Sequence, residues 1–238
     1  MSWLHRVLGK DGASQLGVDE KFFAASVAGR PMHVGPNGGA YGLAVESGIM
    51  AAGIAGNAEI FQARWVHATF KCILRSIQIS VWRAAATAFT AGPYRFSVTD
   101  ARGWTADGGG GTPVIFSTNN TNKKRTDFPL SKFSDTGVRF SATAALTAGT
   151  KTLDTNPFGI IGGFTGAVAP AATVEVAPQL IPAGTYLWQR NTADEYPHIY
   201  EQNEGPVVRC TIPATGTWAY ALMMEWMEVD PAEVEGWA

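Results

Sequence analysis

Charge is scarce in this chain. Asp, Glu, Lys and Arg make up 16% of its 238 residues, against roughly 25% in ordinary globular domains. Its 18 basic and 20 acidic side chains leave a net charge of −2, and no basic stripe of the kind that binds nucleic acid is present. A surface poor in charge is weakly protected against association. Either other subunits cover much of it, or it is a neutral surface rich in Ser, Thr and Asn. Cysteine is limited to Cys72 and Cys210. Without CxxC spacing the two suggest neither metal nor redox chemistry, and they read as small buried hydrophobes rather than a disulfide. No apolar run approaches the ~18 residues of a membrane helix. The leading residues 1–10 (MSWLHRVLGK) are not a signal peptide, because His5 and Arg6 break a short apolar stretch. Synthesis in a cytoplasm is therefore expected.

Residues suited to catalysis are equally thin. His5, His33, His67 and His198 are scattered, with no HxH or HExxH pair to suggest zinc. No GxSxG elbow occurs. The glycine run at 108–111 lacks the Lys-Ser/Thr that would make it a phosphate loop, and reads as a flexible loop. Carboxylates pair in sequence at Asp194/Glu195, Glu201/Glu204 and Glu225/Glu228. A glycosidase needs two acids about 5–10 Å apart, whereas Glu225 and Glu228 have opposite parity on one strand and point to opposite faces. Asp194, Glu195 and Glu201 lie in a loop-like stretch where solvated charge is the default. Lys123, Lys124 and Arg125 read as a solvated turn. No catalytic, cofactor-binding or metal-binding residue is assigned, and no enzyme and no cofactor are expected. Trp104, Trp188, Tyr196, Tyr200 and Trp237 are aromatics that would stack on sugars or fill a subunit interface, with Trp188 the one best suited to the core.

What the chain does have is glycine (27), proline (13), tryptophan (8) and strand patterns. Residues 206–229 read as two strands joined by a tight loop at 213–217 (PATGT). The second alternates strictly: Trp218, Tyr220, Leu222, Met224 and Trp226 on the core face, Ala219, Ala221, Met223, Glu225 and Met227 on the other. The Met223 and Met227 side is a candidate for packing on the rim of the second sheet or on another subunit. Further strands are expected at 60–66, 70–82, 94–98, 138–142, 173–176 and 186–189, each bounded by turn residues. The segments 89–92, 146–149, 181–184 and 212–216 repeat an apolar, Thr/Pro, Ala, Gly order, which reads as one turn type reused before successive strands. Residues 99–135 are the least regular. Residues 1–40 lack a clean period, with a short helix possible over 18–28. Glycine in 42–56 makes that stretch irregular, or a strand crossing close to another backbone. The expected organisation is an N-terminal arm or edge segment (1–55), a mainly β, antiparallel, jelly-roll-like β-sandwich (56–230) and a short acidic tail (231–238) with Glu233 and Glu235.

Residues 59–65 (EIFQARW), 88–92 (AFTAG), 145–154 (ALTAGTKTLD), 203–209 (NEGPVVR), 212–218 (IPATGTW) and 225–229 (EWMEV) resemble tailed-bacteriophage virion structural proteins of the small β-sandwich kind. The resemblance covers residues 55–230. It implies a virion component assembled in the host cytoplasm: a head decoration or cement protein, usually a symmetric homo-oligomer, contacting the major capsid protein or other virion proteins. Neither nucleic acid nor membrane is an expected partner. Residues 1–55 and the exposed loops are expected to contact the capsid lattice. The alternative is a tail, collar or fibre component that contacts host surface glycans through loop aromatics. A cell-wall hydrolase is a third possibility, weakened by the lack of a paired catalytic set.

Overall fold

A computed structural model describes residues 37–84, 88–118, 122–167, 179–190 and 196–231. In chain order the first strands are β1 (Gly39–Glu46), β2 (Ala58–Ala63), β3 (Lys71–Arg83), β4 (Gly92–Ala106), β5 (Thr112–Pro113) and β6 (Val138–Phe140). Then follow β7 (Thr150–Leu153), β8 (Gly159–Thr165), β9 (Gln179–Gln189), β10 (Ile199–Tyr200), β11 (Gly205–Thr211) and β12 (Trp218–Val229). They form two sheets, and every pairing is antiparallel. The first orders β1-β12-β3, with β9 and β10 on the far edge of β3; the second orders β5-β6-β2-β11-β4, with β7 and β8 on the far edge of β4. Facing sheets of this kind make the expected antiparallel β-sandwich.

The core is aromatic and lies between the sheets. Trp218, Tyr220, Leu222, Met224 and Trp226 are all at most 1% exposed, as their alternation requires. Ile77, Ile79 and Val81 of β3 and Phe96 and Val98 of β4 join the same cluster. Tyr220 bolts one sheet to the other: its hydroxyl donates to the Ile60 carbonyl at 2.7 Å and accepts from the Ser141 amide at 3.0 Å. Both cysteines are free thiols buried in this core.

Several expectations change. The segment 206–229 is not a hairpin, because β11 bonds to β2 and β4 while β12 bonds to β1 and β3. The 213–217 loop is an arch between sheets. The strand at 94–98 is the middle of a longer one, and β4 runs to Ala106 inside a region expected to be irregular. Residues 39–46, within the described part (37–55) of the arm-or-edge segment, form an edge strand along β12. The glycine run is held by close packing: a Cβ on Gly108 would lie 2.1 Å from the Thr147 carbonyl oxygen, and one on Gly111 2.2 Å from that of Phe140. Lys124 and Arg125 pair at the surface with Glu225 and Asp127 respectively, and the backbone of Lys123 and Lys124, with the Asn122 side chain, bonds along the outer edge of β1. Residues 1–36 (with His5, His33 and the helix expected over 18–28), the strand expected at 173–176, Asp194, Glu195, and 232–238 with Glu233, Glu235 and Trp237 lie outside the described residues.

The far end of β4 covers the outer side of the second sheet. Trp104 and Ala101 bury Val207 there, with Leu153 packed alongside. Lys151 reaches under this cover to Glu59 at 2.8 Å, with side-chain exposures of 2% and 7%. The outer side of the first sheet differs. Its central row, Ala44, Met223, Gln78 and Tyr186, runs across four strands in register, and Met223 and Tyr186 are each 44% exposed.

Candidate functional site

One end of the sandwich gathers the charge. Arg102, on the β4 extension, forks onto both carboxylate oxygens of Asp154 at 3.2 and 3.3 Å and reaches Glu204 at 3.1 Å. The bonds to Asp154 and Glu204 hold its guanidinium more firmly protonated than usual. Behind it Asp100, nearly buried, accepts the Tyr200 hydroxyl at 2.8 Å and pairs with His198 Nδ1 at 3.1 Å. Burial, and then the neighbouring Asp100 charge, push the Tyr200 phenol well up. The His198 ring stacks on Phe158 with centroids 3.9 Å apart and meets Trp188 edge-on at 4.9 Å. Next to this, Lys71 pairs with Glu201 at 2.6 Å. Arg64 donates to Asn203 Oδ1 at 2.7 Å and to Asp107 at 3.2 Å. Asn203 sits at a positive φ of 65° in the turn that brings Glu201 and Glu204 together; Asn is among the few residues that tolerate this region well.

Chemically the arrangement is a set of struts. His198 spends Nδ1 on Asp100 and its faces on aromatic rings. Arg102 is shared among acids carried by three different segments, so it ties the β4 extension to the turns after β7 and β10.

The same end contains a carboxylate that sequence reading placed only by face. Glu228 is fully buried and accepts Ser131 Oγ at 2.6 Å, the Lys132 amide at 3.0 Å and Trp226 Nε1 at 3.0 Å. Burial raises its carboxyl above the ordinary range, while these bonds pull the other way. Glu225, three residues back, is on the outer face with Lys124, as parity requires. Glu228 had a usable signal: it continues the even-numbered series from Trp218 to Trp226, so alternation puts it on the core side. Cys72 lies close enough for the Glu228 charge to add to burial in pushing its thiol well up.

The remaining sequence candidates scatter. His67 Nδ1 accepts the amides of Thr69 and Phe70, closing its own turn. Trp104 and Tyr200 are buried rather than available for stacking. Trp188 is half-buried and packs against the core. Tyr196 is 95% exposed. Among the described residues, no group of three His, Cys, Asp or Glu side chains could hold a metal ion, and no helix is long and apolar enough to cross a membrane.

The opposite end is the reverse in character. Met50, Arg83 and Trp218 meet there, and Gly92 meets Thr165. Four connections start or finish there, and their described residues, 47–57, 84, 88–91, 166–167 and 212–217, carry no ionisable side chain. Their described parts are tied to one another, the Thr90 amide bonding to Thr215 Oγ1 at 3.0 Å and the Ala84 amide to the Thr217 carbonyl at 2.9 Å. Ile49 stands 61% exposed beside the exposed Ala51 and Ala52. No family model matches the chain, and comparison with curated proteins and with solved structures finds no similar one.

Proposed function

We propose that this chain is a non-enzymatic structural protein of a tailed-bacteriophage virion, a decoration (cement) protein that sits on capsid subunits as a homo-oligomer. The observation that carries the reading is the segregation of charge: the described residues of four connections at one end carry no ionisable side chain. A dry end on a molecule whose other end is densely ion-paired is an oriented contact surface. Two further exposed apolar areas support it: the Met223 and Tyr186 row, and Ile160 and Phe164 on β8, which are 57% and 72% exposed.

The fold proposed for this role is a jelly roll. Taking β1, β2, β3, β4, β8, β9, β11 and β12 as first to eighth, the sheets run first-eighth-third-sixth and second-seventh-fourth-fifth. That is the order produced when a folded ribbon is wound into two sheets, and viral capsid domains are among its users. The architecture by itself does not fix the role.

Particles assembled without the protein test the reading. The expected result is particles that lose their contents at a lower temperature than wild type, and recover when purified protein is added back. Equal heat resistance, together with a monodisperse monomer by light scattering, would overturn it. Tyr196, 95% exposed and two residues before His198 of the Trp188–His198–Phe158 cluster, favours one second reading: a tail, collar or fibre component that contacts host glycans. Binding on a glycan array that is lost in Tyr196→Ala, with antibody label at the tail, would favour that reading.

A further inference from the structure

The two outer sides of the sandwich are treated differently. On the second sheet Trp104 and Ala101 close over Val207. On the first, the row of Ala44, Met223, Gln78 and Tyr186 crosses four strands in register, with Ala44 exposed and Met223 and Tyr186 each 44% exposed. Two residues toward the ion-paired end, Gly42 pairs with Glu225; two residues toward the dry end, Glu46 pairs with Ala221. Glu225 is matched by Lys124, whose Cε would lie 3.7 Å from a Cβ on Gly42. Along β1 the apolar row is therefore flanked by a lysine on one side and by the exposed Glu46 on the other.

Size and charge decide what fits this face. Its outward positions run from Met227 to Ala219 on β12 and across β1, β12, β3 and β9, about 30 Å by about 19 Å at ordinary strand rise and spacing. Two such faces in contact would bury about 1,100 Å², above the roughly 1,000 Å² that a specific interface needs. With Glu225 already balanced by Lys124, the centre of the face does not repel a copy of itself, and it offers a strongly charged partner little to recognise. A two-fold axis lying across the strands at the Met223 row sets that row on its own counterpart. The same operation stands Glu46 of one protomer over Gly42 of its partner, where the partner's Lys124 lies. The result is an apolar centre with ion pairs at the rim, the usual anatomy of an interface. Sheets stacked face to face are an ordinary mode of packing.

We infer that the outer side of the first sheet is the surface through which two copies of this chain associate. The contact is isologous, the same patch serving both protomers, with Met223 and Tyr186 at its centre and reciprocal Glu46–Lys124 pairs at its rim. The inference deepens the homo-oligomer part of the function proposed above and rests on no contact with a capsid.

Sedimentation of the full-length chain tests it. Wild type is expected to form a dimer, or an even-numbered assembly of dimers. Met223→Arg sets two like charges against each other and is expected to weaken the dimer at least about a hundredfold, with the circular dichroism of wild type retained. A monomeric wild type, or a Met223→Arg dimer as tight as wild type, would overturn the interface. Glu46→Lys and Lys124→Glu, both at exposed positions, are each expected to weaken the dimer, and the double variant to restore it. Single variants without effect, or a double variant no tighter than either, overturn the arrangement. Met223→Cys is expected to give a crosslinked dimer on a non-reducing gel after oxidation, since Cys72 and Cys210 are buried; no crosslink counts against it. A monomer in which Met223 and Tyr186 resist carbene labelling would assign the face to residues 1–36 of the same chain and overturn the inference. A dimer whose absence leaves particles equally heat-resistant would sink the virion reading and leave the interface standing. A monomer on which particle heat resistance still depends would do the reverse.

Discussion

Glu228 offers the sharpest test of how this end of the sandwich is held. Replacing it with alanine removes the common acceptor of the Ser131 hydroxyl, the Lys132 amide and the Trp226 indole. The hydroxyl can turn elsewhere, but the two N–H groups cannot. Each buried donor left unpaired costs about 1–3 kcal/mol, so Glu228→Ala should lose about 2–6 kcal/mol in urea unfolding at neutral pH. The segment after residue 128 should loosen with it, since Tyr41 holds Pro129 at 3.1 Å and Lys132 holds Asn37 at 2.8 Å nearby. The sign of the pH dependence is fixed by burial. A carboxyl raised above its unfolded value favours the protonated native state, so its contribution is fully present below the unfolded pKa of about 4.3 and is lost as pH rises through the folded value. Measured against Glu228→Gln, which does not titrate, wild type should therefore gain stability as pH is lowered from neutral. A Glu228→Ala loss within about 0.5 kcal/mol, the range of ordinary surface changes, would refute the bonding account. A wild type that instead loses ground to Glu228→Gln on acidification would show that its hydrogen bonds outweigh burial.

Three further outcomes follow from the same geometry. Asp100→Ala strands the buried Tyr200 hydroxyl and should cost about 1–3 kcal/mol, while Arg102→Ala, its side chain 51% exposed, should cost no more than about 1 kcal/mol in the same assay. Gly111→Ala combines a φ of 58° with a contact of 2.2 Å to the Phe140 oxygen, so thermal unfolding should show a larger drop than for Gly53→Ala, where φ is 76° but nothing lies within 4 Å and left-handed strain alone costs about 1–2 kcal/mol. Cys72 and Cys210 should resist maleimide in the native protein and react after urea, since both are buried and burial pushes the Cys210 thiol up to about 12; rapid native labelling by mass spectrometry would contradict their placement.

Face patterns were legible in the sequence because alternation depends on one strand alone. It correctly sorted all five core residues of β12, separated Glu225 from Glu228, and left Met223 outside. Partners were not legible, because a five-residue loop serves a hairpin and an arch between sheets equally well. The core stripe from Trp218 to Trp226 says which side is buried but not which strand lies alongside. In β11 both Val207 and Val208 are fully buried, one against each side of its sheet, so no alternation marks the strand as central. The His198–Asp100 pair joins residues 98 positions apart, beyond the reach of any motif.

The distribution of charge shows why topology had to come first. Residues 47–57, 84–91, 166–178 and 212–217 each look like an ordinary neutral loop, and composition alone left a covered surface and an evenly neutral one as equal alternatives. Strand order brings the described residues of these four connections to one end and puts Arg64, Lys71, Asp100, Arg102, Asp154, Glu201 and Glu204 at the other. An evenly neutral surface would associate in any orientation, whereas a dry end opposite an ion-paired one can associate in only a few. The low charge of the chain is thus a segregated property.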